Sequence, residues 1–277
     1  MTIAAGFPCR DGLILCADTQ EVISGYVKTE TEKTTVIRGD KWNVVITGAG
    51  DADFIELAVQ EIHHDLNSIN GKQTLQKVIK ETLKSVFVDT VQPYASFPVE
   101  DRPSATLLIG VQSEGVVGLY KSNGLVFRRM DTPECVGMGI ALGKSLTAQF
   151  FRKEQSLKEA GLTAIYILHQ VKKWVDGCGG NSDIILLSQE KLAWARIPTD
   201  EVKILETNFD MFTEAIRPIL VGAVDSTLPH PEFDQLLKDF AHRDMFLLRS
   251  RFMDSDEFFK RLSDNTGLVF EFSKLVR

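Results

Sequence analysis

The 277-residue sequence predicts an α+β protein built from packed layers, and three observations carry that expectation. Strand and helix patterns come in blocks (strands, two helices, strands, two helices, strands) rather than alternating singly as βαβ units do. The strand segments are short, β-branched-rich apolar runs that end in polar or small residues, as in Val44-Val45-Ile46-Thr47-Gly48. From about residue 199 strand signals thin out, charge becomes dense, and spacings such as Phe233, Leu236, Leu237 and Phe240 predict helices. Residues 1–200 are therefore expected to form one domain, with 201–277 a helical C-terminal extension packed on it.

In chain order, 2–8 and 11–17 predict two strands joined by the turn Arg10-Asp11-Gly12, and 33–38 with 42–48 predict two more. Asp51 is suited to cap a helix, because its carboxylate can accept from the free amides of a first turn. Phe54, Ala58, Ile62 and Leu66 then recur every four residues, the apolar stripe of a helix expected to end near Asn70-Gly71. A second helix presents Leu75, Ile79, Leu83, Phe87 and Val91 on one face. Strands resume at 105–111, 115–120 and 125–128. Helices follow at about 140–153 and 162–175, then strands at 183–187 and 192–197. The turn Thr227-Leu228-Pro229-His230-Pro231 punctuates the tail.

Composition excludes several function classes. A formal net charge of -7 argues against a nucleic-acid or anionic-membrane partner. The four cysteines (Cys9, Cys16, Cys135, Cys178) form no C-x-x-C pair and are too sparse for a disulfide scaffold, which points to a reducing compartment. No basic segment leads into an apolar run at the start, and no stretch approaches the roughly 20 apolar residues that span a bilayer. A cytoplasmic location is the expectation.

Three other motifs fail on residue identity or on spacing. Gly48-Ala49-Gly50-Asp51-Ala52-Asp53 follows an apolar strand as a dinucleotide loop would, but Asp53 stands where glycine or alanine is needed and would repel a pyrophosphate. Gly139-Ile140-Ala141-Leu142-Gly143-Lys144-Ser145 is one residue short of a phosphate-binding loop, with Met138 in place of its first glycine. His63, His64 and His169 lack partners at metal-ligand spacing. Cys178 has no histidine near it in sequence and reads as a structural replacement for serine.

Thr2 is different. If Met1 is trimmed, Thr2 carries a hydroxyl and a free amine on adjacent carbons, one of the few ways a single residue can be both nucleophile and base. Asp11-Gly12 at the first turn, Ala17-Asp18 ending the second strand, Lys33 opening the third, and Gly48-Ala49-Gly50-Asp51-Ala52 before the first long helix accompany it. Cys178-Gly179-Gly180 followed by Asp183 supplies a late glycine pair ahead of a strand. With these residues in this order, roughly the first 70% of the chain resembles a β-type subunit of the proteasome and its relatives among the N-terminal nucleophile hydrolases.

That resemblance implies a four-layer αββα sandwich and a threonine-type peptidase of a self-assembling particle. Thr2 would attack a peptide carbonyl through its hydroxyl. Its own amine, of a kind that ordinarily titrates at roughly 7.7–8.0, would relay the proton. Lys33 would sit beside the hydroxyl, Asp18 would pair with Lys33, and the Gly48 amide would donate to the oxyanion. Ile46 would form one wall of a pocket for an apolar or small side chain, with Gln20 to Val22, Gly48 and Ala49 along the substrate backbone. The resemblance implies no metal or organic cofactor, a peptide or unfolded protein as substrate, a homo-oligomeric ring, and possible ATPase or related subunits.

Two departures from the family pattern bear on activity. Met138 stands where a serine is usual, and Cys178 replaces a serine before the late glycine pair, with Asp176 standing in for the accompanying aspartate after a one-residue shift. These motivate one alternative to a peptidase, a catalytically silent structural subunit; a small-molecule amidase or acylase on the same fold is another, since fold alone does not set the substrate.

Overall fold

A computed structural model describes residues 2–23, 27–69, 74–98, 101–113, 115–225, 227–268 and 270. Met1, on which the trimming expectation falls, lies outside the described residues, as do Asn70 and Gly71.

Two five-stranded antiparallel sheets stack face to face. The first has the order β10-β1-β2-β11-β12, from β1 (Ile3–Cys9), β2 (Gly12–Asp18), β10 (Glu134–Gly137), β11 (Ser182–Ser188) and β12 (Trp194–Arg196). The second runs β5-β6-β7-β8-β9, from β5 (Thr35–Gly39), β6 (Trp42–Gly50), β7 (Ala105–Ser113), β8 (Val116–Asn123) and β9 (Val126–Met130). A hairpin of β3 (Gln20–Ile23) and β4 (Val27–Glu30) stands apart from both.

Alternation of side chains along each strand sends one set inward and the other outward. The inner sets (Leu13, Leu15 and Ala17 facing Val45, Leu108 and Leu119) form the core between the sheets. The outer set of the second sheet, including Val44, Ile46 and Ile109, packs on α1 (Ala52–Asn67) and α2 (Leu75–Thr90). That of the first sheet, including Ile3, Ile14 and Ile184, packs on α4 (Leu157–Trp174), with α3 (Ile140–Phe150) alongside. The layers are therefore αββα, as expected.

Local chemistry explains where elements begin. Asp51 caps α1, accepting from the Phe54 amide at 2.9 Å, and Phe54, Ala58, Ile62 and Leu66 are the buried stripe. Helix α4 starts five residues before the apolar spacing suggests. Ser156 and Glu159 form a reciprocal capping box, and the Asp11 carboxylate accepts from the Leu157 amide at 2.6 Å. Lys33, expected to open a strand, sits two residues ahead of β5 in the segment that leaves the hairpin. Strands β3, β4 and β10 are not foreshadowed as separate elements by the sequence pattern.

The tail is helical: α5 (Thr199–Val224), α6 (His230–Asp239), a π-helical turn at Phe240–Asp244, and α7 (Met245–Thr266). Val202 and Leu205 of α5, with Phe258, Phe259 and Leu262 of α7, belong to the same apolar cluster as Ile165, Leu168 and Val171 of α4. Polar contacts reinforce this packing. His169 Nε2 meets Asp210 at 2.9 Å, and Glu206 accepts from Lys172 at 2.8 Å and from the Ser182 hydroxyl at 2.6 Å. The acids on α5 are the partners that His169 lacks in sequence, and they raise its pKa, with the Glu206 hydrogen bond the largest cause.

Candidate active site

The start of β1 and the end of β2 meet where the first sheet opens toward the second. The antiparallel register Ala4↔Ala17 brings Asp18 level with the head of β1, and its Oδ1 accepts from the Ile3 amide at 3.1 Å. The same oxygen accepts from the Thr2 hydroxyl and from Lys33 Nζ, the latter at 3.0 Å. The other oxygen accepts from the Gly179 amide at 2.9 Å. Asp18 is fully buried and Thr2 is 6% exposed.

An ammonium has three donors and no acceptor. Lys33 Nζ spends them on Thr2 Oγ1 at 2.6 Å, on Asp18, and on the Gln20 carbonyl. A buried ion pair is costly unless its remaining donors and acceptors are met. Here they are, so the arrangement is a fixed cation held against the Thr2 oxygen rather than a loose surface pair.

The carbonyl end of Thr2 is held as firmly. Its oxygen accepts from the Met138 amide at 2.8 Å. Gly137, opposite Ile3 in the register, has a φ of +93°, and a Cβ there would lie 2.2 Å from the Thr2 carbonyl oxygen. Only glycine lets the two backbones approach this closely.

Thr2 and Lys33 also line a cleft of about 630 Å³. Strand β5 ends at Thr35, opposite Ile46, so beyond that point β6 has no strand neighbour on its β5 side among the described residues. Gly48 and Ala49 line the cleft there, with Ile46 beside them. A Cβ on Gly48 would meet the Thr106 carbonyl at 2.7 Å, so this position too requires glycine. The other walls come from β3, the segment 31–35 and the start of α1.

Of the sequence-predicted residues, the structure joins Thr2, Asp18 and Lys33 by direct hydrogen bonds and sets Ile46, Gly48 and Ala49 around the cleft that Thr2 and Lys33 also line. Gln20 serves differently from the expectation. Its carbonyl anchors Lys33 and its amide donates to the Gly179 carbonyl at 3.1 Å, so it braces the site, and Glu21 is the β3 residue that lines the cleft. Val22 lies in β3 opposite Lys28. Asp176 is exposed and takes part in none of these hydrogen bonds.

Cys178 is buried beside the cluster, in contact with the Gly139 amide and close enough to feel both Asp18 and Lys33. Burial, reinforced by the Asp18 charge and opposed by Lys33, pushes its thiol up to about 11. Because the thiolate is the reactive form, Cys178 stays an inert thiol near neutrality. Its alkylation by iodoacetamide, followed by peptide mass mapping, is expected to be negligible at pH 8 and to rise only toward pH 11. A titration midpoint below about 9 would mean that the thiol is activated instead. Met138 has a thioether where a serine would offer a hydroxyl, its side chain is half exposed, and its backbone amide carries the contact to Thr2.

Sequence reasoning misses the supports, which are backbone groups: the Gln20 carbonyl and the Gly179 amide carry no side-chain signature. It also misses the acidic lining of the cleft, because Glu21, Glu32, Asp53 and Glu56 come from three separate segments. Among the described residues no group of three or more His, Cys, Asp or Glu is placed to hold a metal, and no helix is long and apolar enough to cross a membrane.

No family model matches the chain. The proteasome subunit beta of Methanosarcina barkeri is 23% identical to it over 205 residues, covering 73% of this chain and 92% of that protein. That of Methanosarcina thermophila is 22% identical over 204 residues, with the same coverage. Among solved structures, Anbu (ancestral beta-subunit) from Yersinia bercovieri superposes with a TM-score of 0.64 at 14% identity, over 82% of this chain and 98% of that one. The Pseudomonas aeruginosa Anbu complex, solved as a helical assembly, gives 0.65 at 13% identity over 83% and 99%. The chain therefore has the proteasome-like α+β fold of these structures, with a helical C-terminal extension.

Proposed function

We propose that the chain is a threonine-type N-terminal nucleophile hydrolase, acting on peptide bonds as a subunit of a proteasome-like particle. The observation that carries this reading is the Thr2 hydroxyl, hydrogen-bonded at once to Lys33 and Asp18, on a residue that lines the same cleft as Gly48. With Met1 removed, the Thr2 amine takes the hydroxyl proton as the oxygen attacks the carbonyl carbon, and later returns it to the departing amine. Lys33 favours the developing alkoxide by its charge, and Asp18 holds Lys33 in place. The Gly48 amide stabilises the tetrahedral oxyanion. Water then releases the acyl group from Thr2, and none of these steps routes through a metal or organic cofactor.

Self-assembly is part of the proposal. The Pseudomonas aeruginosa Anbu complex forms a helical assembly, and a repeating homo-oligomer of this chain, ring or helix, would enclose the clefts so that only unfolded or threaded chains enter. ATPase or related subunits are the partners such a particle would use.

A silent structural subunit is the second reading, favoured by the exposed Asp176 and by the absence of serine at Met138 and Cys178. One experiment separates them. Intact mass and N-terminal peptide sequencing should show a chain that begins at Thr2 with an unmodified amine. Incubation with a peptide epoxyketone, which needs both hydroxyl and amine, should then add one inhibitor mass, located on Thr2. Retention of Met1 on essentially every molecule, or a free Thr2 that takes no label, establishes the silent reading. Labelling of Thr2 without turnover of any peptide would point to the small-molecule amidase.

A further inference from the structure

The cleft in front of Thr2 is walled by acids. Glu21 enters it from β3, Glu32 from the segment before β5, and Asp53 and Glu56 from the first two turns of α1. Glu32 pairs with Arg196, which also pairs with Asp183 at 3.2 Å. Among the described residues the Glu21 carboxylate accepts only from the Thr31 hydroxyl, at 2.8 Å, and that of Glu56 only from the Gln60 amide, at 3.0 Å. Among the described residues no cation pairs with Glu21, Asp53 or Glu56. The one lysine in the lining, Lys33, is fully committed to Thr2, Asp18 and Gln20.

Part of the remaining lining is aliphatic, alongside Thr31 and Thr35. Ile46, Ala49, Ile55 and Val59 contribute to it. A purely apolar side chain would cover that surface and leave the acids unanswered, and an acidic one would be repelled. A lysine or arginine side chain satisfies both parts, because its methylene stem lies along apolar surface while its head stays polar.

We infer that the cleft selects substrates by a lysine or arginine side chain inserted beside Thr2, with Ile46 and Val59 against its stem and Asp53 and Glu56 holding its charged head. This rests on the reading of Thr2 as nucleophile and supplies the substrate class for it. It also replaces the preference for apolar or small side chains expected from Ile46 alone.

The test has two arms, so that failure of the specificity and failure of the nucleophile can be told apart. In the first, the Thr2→Ala protein, which cannot react, binds a pair of fluorescein-labelled tetrapeptide amides that differ only in arginine against norleucine, read by fluorescence polarisation. The arginine peptide is expected to bind about tenfold tighter at low salt, the scale of two partly solvated charge pairs. That advantage should shrink as ionic strength approaches about 1 M, where the screening length falls to about 3 Å. Adding Asp53→Asn and Glu56→Gln should bring the ratio close to one. In the second arm the native protein meets epoxyketones bearing the same two side chains, and the rate of mass addition at Thr2 should favour arginine by a similar factor.

Equal or tighter binding of norleucine overturns the specificity whatever Thr2 does. So does an arginine advantage that survives the double substitution, because the named carboxylates would not be its source. Arginine preference in binding with no labelling of the native protein leaves the specificity standing and removes the nucleophile.

Discussion

Thr2→Ala is expected to abolish hydrolysis, by about 10³-fold or more, while leaving the melting temperature nearly unchanged. Removing a nucleophile generally costs that much, because the remaining groups act only in concert with it. The fold has little reason to respond. The substitution deletes one hydroxyl, but Lys33 still has Asp18 at 3.0 Å and the Gln20 carbonyl. The Thr2 carbonyl still accepts from Met138. Steady-state turnover of a fluorogenic peptide, paired with a thermal melt, checks both halves. Full activity in the alanine protein would end the threonine-hydrolase reading, and lost activity with a collapsed melt would leave Thr2 a structural residue.

Asp18→Ala is expected to be the most damaging single change to the fold of the site. Four donors converge on that carboxylate: Thr2, Ile3, Lys33 and Gly179. Its removal leaves the half-buried Lys33 charge without its counter-ion and two backbone amides without acceptors. Breaking a buried pair from one side costs about 3–5 kcal/mol, a large share of a typical total of about 5–15 kcal/mol. Urea unfolding should show the midpoint falling steeply, and any activity should vanish with it. Asp18→Asn, which retains an acceptor but no charge, should recover part of the stability and little of the activity. A loss below about 1 kcal/mol in the alanine protein would mean that the site is more open to water than its geometry indicates.

The layered architecture was legible because it leaves marks on consecutive residues, whereas Thr2, Asp18 and Lys33 stand 16 and 15 positions apart and were picked out only through the family resemblance of the motifs around them. The short apolar strand runs, the α1 stripe and the Asp51 cap each lie within a few positions of one another. The start of α4 escapes the apolar periodicity because its signal is a cap, Ser156 with Glu159, that precedes it. Strands β3, β4 and β10 have only four residues each and little alternation to show. The role of Gln20 rests on its carbonyl, which every residue possesses. His169 pairs with acids more than thirty residues downstream, a distance at which spacing carries no information.

The order of strands in the first sheet has a further consequence, for synthesis. Its central strands β1 and β2 pair with β10 and β11, so the N-terminal segment cannot be enclosed until Ser188 has been made. The second sheet draws only on 35–130 and can close over α1 and α2 well before that. At ribosomal rates of about 5–20 residues per second, β2 waits through about 170 further residues, on the order of 10–30 s. Contacts of such sequence separation also form late because the chain must first lose the entropy of closing the loop. During that interval the amino end, which is 6% exposed at Thr2 once folded, remains open to an aminopeptidase. Deleting the segment from Gly179 to the end of β11 would strip β2 of that partner and the Asp18 cluster of its Gly179 support, although every other residue of the cluster is encoded by position 33.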